Sequence, residues 1–165
     1  DMEGIKEYLN RESKLIDKKM FYIKTGSSVV DTIVNTKQSL AEGKGIIFVV
    51  NASIPEKCCV SEIDMANILG NLIDNAIEAS EGEKEPYIDL TIKQEKTFIV
   101  IKIVNKYSKD FSGKLETTKK RQEFHGIGIG SVRSIVKKYG GEFSIKKKDT
   151  DVIAKILIPE IDTFK

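Results

Sequence analysis

The sequence predicts an α+β domain with its helices in one layer and its strands in another. Three observations lead there. The apolar periodicity changes along the chain in the order helix, strand, helix, strand, strand, loop, helix, strand, strand. Two of the strand pairs are joined by links only long enough for a hairpin. The helices stand between paired strands, whereas a parallel βαβ fold would alternate one helix with one strand.

Residues 1–24 are charged, with Ile5, Leu9, Ile16 and Ile23 at loosely helical spacing. Thr25-Gly26-Ser27-Ser28 is a break. Ser28 followed by Asp31 has the form of a capping box with Asp in place of Glu. Val30, Ile33, Val34, Leu40 and Ala41 then mark one face of a helix that ends near Gly43 and Gly45. Ile46 to Val50 is a β-branched and aromatic run, hence a strand, and Pro55 closes that region. Residues 60–80 form the strongest helix. Tyr87 to Lys93 and Thr97 to Val104 read as strands around a turn at Gln94-Glu95-Lys96. Residues 106–124 are polar without a helix or strand period, and so long a stretch in a compact domain is expected of a functional loop. Ile129 to Tyr139 is helical and stops at Gly140-Gly141. Glu142 to Lys147 and Asp151 to Ile158 make a final hairpin.

The composition narrows the function classes. A chain of 165 residues, 40% hydrophobic and 32% charged, makes one domain with a sizeable core and room for a helical appendage. The net charge of +2 lacks the basic excess of a dedicated nucleic-acid binder, so no nucleic-acid partner is expected. No apolar run approaches the roughly 20 residues that span a bilayer. Asp1-Met2-Glu3-Gly4 lacks the start of a signal peptide and an initiator Met, so a piece of a longer chain is expected. Cys58 and Cys59 are neighbours with no spaced partners, which fits two reduced thiols better than a disulfide or a metal site. His125 is the sole histidine, which excludes a His-rich metal site.

Two elements carry chemistry. In the helix 60–80, Met65, Ile68, Leu69, Leu72, Ile73, Ala76 and Ala79 share a broad apolar arc, and Asp64, Asn67, Asn71, Asp74, Asn75 and Glu78 share the opposite one. A solvated helix face favours Glu, Lys, Gln and Arg over Asn. Asn67, Asn71 and Asn75, spaced i, i+4, i+8, instead form a row of neutral amides whose carbonyl oxygens can ligate a hard cation. The second element is His125-Gly126-Ile127-Gly128-Ile129-Gly130, opening the helix that follows. Closely spaced glycines at a helix N-terminus let backbone N–H groups approach an anion. The same glycines would equally serve as a plain turn. The G-x-G-x-x-G spacing of a dinucleotide-binding loop and the Gly-Lys-Ser/Thr of a P-loop are both missing.

Together these elements resemble the Bergerat nucleotide-binding fold of the GHKL superfamily, which includes sensor histidine kinases, gyrase, MutL-type proteins and Hsp90-type chaperones. Asn71-Leu72-Ile73-Asp74-Asn75-Ala76 resembles the kinases' N box, residues 125–130 their second glycine box, and residues 106–124 stand where their ATP lid stands. Thr118-Lys119, His125-Gly126-Ile127-Gly128 and Ile135-Val136-Lys137-Lys138-Tyr139-Gly140-Gly141 are most similar to the peptide-quorum-sensing branch, the AgrC/VirS type. Thr25-Gly26 and Asp31 to Lys37 resemble the segment leading into that catalytic domain.

The resemblance implies a mixed sheet packed on helices over residues 25–165, a lid at about 106–125, and in residues 1–24 a helical remnant of a dimerisation and phosphoacceptor region. It implies ATP and Mg²⁺ as ligands, with Asn75 holding Mg²⁺ through the phosphates and Asn71 assisting. Gly126, Gly128 and Gly130 would admit the phosphates, Lys119 would reach them from the lid, and His125 would orient the lid or contact a phosphate. Asn105 falls near the family's first glycine box, where most histidine kinases carry Asp-x-Gly-x-Gly and the Asp binds the adenine amino group. Here the residues are Asn105-Lys106-Tyr107-Ser108. Hydrolysing relatives place a Glu base where Asn71 stands, and an amide cannot take that proton at neutral pH. Asp74 and Glu78 are the other candidate bases. The implied activity is transfer of the γ-phosphate to a histidine on another domain, in a homodimeric, membrane-anchored bacterial kinase whose catalytic part is cytoplasmic and whose partner is a response regulator. A nucleotide-binding scaffold without catalysis, or a docking module, are the alternatives.

Overall fold

The computed structural model describes residue 5, residues 22–109 and residues 126–160. Its elements run α1 (Ser28–Gly43), β1 (Ile47–Ala52), α2 (Glu62–Ser80), β2 (Tyr87–Glu95), β3 (Phe98–Lys106), α3 (Gly126–Lys138), β4 (Glu142–Lys148) and β5 (Asp151–Pro159). The five-stranded sheet has the order β1-β2-β3-β5-β4. β1 pairs with β2 in parallel, and the other pairs are antiparallel. The expected α+β fold with a mixed sheet is therefore the observed one. The expected helical segment at 1–24 lies outside the described residues, apart from Ile5 and Tyr22 to Lys24; residues 22–27 are irregular.

The core lies between the helices and one face of the sheet. Met65, Ile68, Leu69, Leu72, Ile73 and Ala76 of α2 are buried, as its apolar arc requires, and Ile77 and Ser80 join them. They meet the inward row of each strand: Leu90 and Ile92, Ile101 and Ile103, Ile156 and Ile158. Each fully buried aliphatic side chain contributes about 1.5–3 kcal/mol relative to its exposed state. On the opposite, uncovered face Ile47 and Val49 of the edge strand β1 remain 66% and 54% exposed. The outward-pointing carbonyl of Phe48 on that edge accepts a hydrogen bond from Gln38 Nε2 of α1 at 3.0 Å.

Four boundaries differ from the sequence expectation, each for a local reason. The N-cap of α1 is Ser27, whose Oγ accepts from Val30 N; Asp31 is instead engaged by the backbone N–H and hydroxyl of Thr25 at 2.6 and 2.7 Å. The β2–β3 turn contracts to Lys96 and Thr97, with Lys96 at φ 55°, and the pairing runs on through Glu95 and Phe98. β3 continues past Val104, so Asn105 and Lys106 are strand residues. The helix expected from Ile129 starts at Gly126, so the glycine box forms its first turns.

The chain before α1 is fastened to it. Asn35 accepts from Ile23 N and donates to Ile23 O, both at 2.9 Å, mimicking a neighbouring strand. Gly26 stands at φ 104°, and a β-carbon there would lie 2.7 Å from the carbonyl oxygen of Ile54, so glycine is required on both counts.

Candidate functional site

Helices α2 and α3 pack side by side, and their shared interface has two ends. At one end Ser61 caps α2 by accepting from Asp64 N. The Tyr139 hydroxyl donates to Asp64 Oδ2 at 2.5 Å and accepts from Ser61 N at 3.1 Å. Lys138 donates to the same Asp64 oxygen at 2.8 Å. The Lys138 hydrogen bond, followed by that from Tyr139, holds the Asp64 carboxyl below its ordinary pKa. The polar groups of this end satisfy one another.

At the other end the helices part over the sheet and leave a small cleft. Leu72, Asn75, Ala76 and Ala79 of α2 line one side. Ile103 and Asn105 of β3, with Val152 and Ala154 of β5, make the floor. Tyr107 and Ile129 flank it. The apolar lining with few polar groups is typical of a small-molecule site.

Asn75 and Asn105 both line this cleft, on different elements. Asn75 Nδ2 is fully buried and has no hydrogen-bond partner among the described residues. An unpaired buried amide costs roughly 1–3 kcal/mol, so a ligand that satisfies it gains that much. Asn105 is 5% exposed, and its Nδ2 donates to the Lys106 carbonyl at 3.2 Å. Asn71 stands one turn from Asn75 and donates from Nδ2 to Asn67 O at 2.7 Å, which leaves its Oδ1 turned toward α3. There it meets Gly128: a β-carbon on that glycine would lie 2.6 Å from Asn71 Oδ1 and 3.1 Å from Cγ. Glycine at 128 is thus a matter of contact between the two motifs. Gly130 has open space around it. None of the glycines at 126, 128 and 130 has positive φ, which corrects the expectation of a loop ahead of the helix. In the first helical turn the N–H groups of Gly126 and Gly128 lack intrahelical acceptors.

Asp74 and Glu78 do not line the cleft. Asp74 is bound by Lys37 of α1 at 2.5 Å, and Glu78 is exposed. Lys119 and His125 lie outside the described residues, as does the expected lid beyond residue 109. The beginning of that segment is fixed: Ser108 donates from N and Oγ to the Glu83 carboxylate at 3.1 and 2.6 Å. The Ser108 hydroxyl is the main cause of a lowered Glu83 pKa. Sequence reasoning missed Tyr107 and the β5 floor. The floor was detectable as the inward-facing half of an alternating strand. For Tyr107 no pattern pointed to the cleft.

The model of the GHKL domain family matches residues 60–159. The chain belongs to the GHKL family. No curated protein matches significantly. Among solved structures, the nucleotide-free catalytic domain of histidine kinase ThkA superposes with a TM-score of 0.61 at 19% identity, over 79% of this chain and 93% of that one. Histidine kinase AdeS of Acinetobacter baumannii gives 0.61 at 15% identity, over 98% and 81%. Mycobacterial sensor histidine kinase MprB gives 0.57 at 14% identity, over 79% and 95%. At these identities the likeness is one of fold: this GHKL domain has the architecture of histidine-kinase catalytic domains. No helix among the described residues is long and apolar enough to cross a membrane.

Proposed function

We propose that this GHKL domain binds Mg·ATP in the α2–α3 cleft and presents its γ-phosphate to a histidine of a separate phosphoacceptor domain. One observation carries the reading: Asn75, whose buried Nδ2 has no partner among the described residues, lines an apolar cleft one helical turn from Asn71, where the glycine turn of α3 packs. The base enters the cleft, and the phosphates run toward the first turn of α3. Its free N–H groups at Gly126 and Gly128 and its dipole favour anions. Lys119 and His125 add charge and donors from the lid.

Magnesium fits the donor set only as a shared ion. The described residues hold no group of three or more Asp, Glu, His or Cys side chains that could hold a metal. Amide oxygens of Asn75 and Asn71 would complete a sphere made mostly of phosphate oxygens and water, the arrangement Mg²⁺ favours. When bound, the ion neutralises charge on the phosphates during transfer. The residues of the chain position and orient: no carboxylate among the described residues lines the cleft to activate water, and Asn71 cannot act as a base, which favours phosphotransfer over hydrolysis. The wider assignment, to a peptide-quorum-sensing, membrane-anchored homodimeric kinase acting on a response regulator, rests on the motif likeness of residues 118–141 and 25–37.

Calorimetry with Mg·ADP tests the site. Asn75→Ala is expected to weaken binding about tenfold or more. Undiminished binding in that variant removes Asn75 from the site, and no binding by the wild type at millimolar nucleotide favours a docking module. Joining the chain to a helix bearing an acceptor histidine and finding acid-labile phosphate separates kinase from scaffold. The chain alone, whose one histidine is His125, is expected to take up none.

A further inference from the structure

Ile103, Asn105 and Tyr107 alternate along one face of the chain at the end of β3, and all three line the cleft. Tyr107 lies just past the strand, but its N–H still donates to the Thr150 carbonyl at 2.7 Å, so the pleat runs on through it. Its ring is therefore carried on the side of the sheet that the helices cover. Asn105 pairs across the sheet with Val152, and Val152 with Lys147. That row brings a half-buried lysine of β4 to the same face. Lys147 Nζ stands over the Tyr107 ring, 5.7 Å from its centroid, and donates to the Lys109 carbonyl at 2.5 Å. Between these two residues Ser108 is bound twice by Glu83. The tyrosine is thus pinned from β4, from the β4–β5 turn and from the stretch between α2 and β2.

A fixed aromatic side chain suits a planar ligand, because stacking on it orders no further rotamers. Tyr107 is the one aromatic residue among the described residues that line the cleft. Across from the sheet, α2 contributes Ala76 and Ala79, whose side chains are single methyl groups. The Ser80 hydroxyl donates to the Lys106 carbonyl at 3.3 Å and fixes the last turn of α2 beside this stretch. A flat heteroaromatic ring entering there meets small methyls from the helix and a pinned phenol from the sheet. Resting on the nucleotide reading above, we propose that Tyr107 is the platform on which the base of the nucleotide stacks. Such a platform offers a π-face to any base, and it rewards a purine over a pyrimidine through the extra area of the second ring.

The test is calorimetric titration of the whole chain with Mg·ADP and with Mg·UDP. The wild type is expected to prefer ADP by about tenfold. Tyr107→Leu is expected to weaken Mg·ADP by about tenfold and Mg·UDP by less, so that the preference narrows. Tyr107→Phe keeps the ring and should hold both dissociation constants within about threefold of the wild type. Thermal melts confirm that each variant is folded. A wild type that binds the two nucleotides alike overturns the proposal, and that measurement needs no variant. A folded Tyr107→Leu that keeps its affinity for ADP overturns it, as does one that loses ADP and UDP by the same factor, the mark of a purely structural role. A loss in Tyr107→Phe as large as in Tyr107→Leu assigns the effect to the hydroxyl and overturns stacking too. Each of these results, with ADP still bound by the wild type, sinks the platform alone, whereas a folded wild type that binds neither nucleotide sinks the nucleotide site with it.

Discussion

The α2–α3 interface is closed at one end and open at the other. At the closed end Ser61, Asp64, Lys138 and Tyr139 are hydrogen-bonded to one another. At the open end, on the same two helices, Asn75 keeps a buried donor unpaired and Gly128 gives up its side chain so that Asn71 can stand against the backbone. Both ends are polar breaks in an apolar seam, so burial alone does not tell them apart. Hydrogen-bond accounting does: the satisfied end carries stability and the unsatisfied end carries binding.

That division can be broken from either side. The largest effect on stability is expected from Gly141→Ala, just beyond the closed end. A β-carbon there would stand 2.5 Å from Leu157 O and 3.0 Å from a Val136 methyl. Overpacking of this kind costs about 1–3 kcal/mol, and a thermal melt should show a lower Tm. Gly128→Ala should do the reverse. It displaces the Asn71 amide and is expected to weaken Mg·ADP about tenfold in calorimetry while leaving the melt nearly unchanged. Equal losses of stability at both glycines would mean that the two ends do not differ in kind.

Tyr139→Phe removes a hydroxyl that serves both Asp64 and Ser61, and is expected to cost about 1 kcal/mol with nucleotide affinity kept. The same clasp should depend on pH. The folded pKa of Asp64 is depressed, so its contribution is present above the unfolded value of about 3.9 and fades as pH falls through the lower folded value. A urea series should show Asp64→Asn weakest against wild type near neutrality and converging on it at acid pH. The smallest effect is expected from Gly130→Ala. With open space around it and a helical backbone, alanine should stabilise by up to about 1 kcal/mol. Any loss of Mg·ADP affinity there would reflect the phosphates rather than packing.

Much of this was legible in the sequence because periodicity reports burial. The apolar arc of α2 is the buried arc, and the element order is the observed order. The asparagine row was visible because Asn is out of place on a solvated helix. The glycine box was misjudged because intrinsic propensity disfavours three helical glycines, whereas contact with Asn71 selects for the one at 128. The Ser27 cap was hidden for a related reason: Asp31, the apparent partner of Ser28, is taken by Thr25. Asp64 read as one more member of the polar arc, since nothing local announces a partner such as Tyr139 so far along the chain. The gap in each case is a tertiary contact that no window of sequence contains.

Gln38 has a consequence for how the molecule keeps company with its own copies. The margin of the sheet at β1 combines exposed Ile47 and Val49 with outward-facing main-chain groups, the features that template the stacking of strands from molecule to molecule. By occupying the Phe48 carbonyl, the amide of Gln38 withholds one rung of that ladder. A newcomer must first evict a side chain belonging to α1, so a helix that packs the core also polices the border against fibre growth.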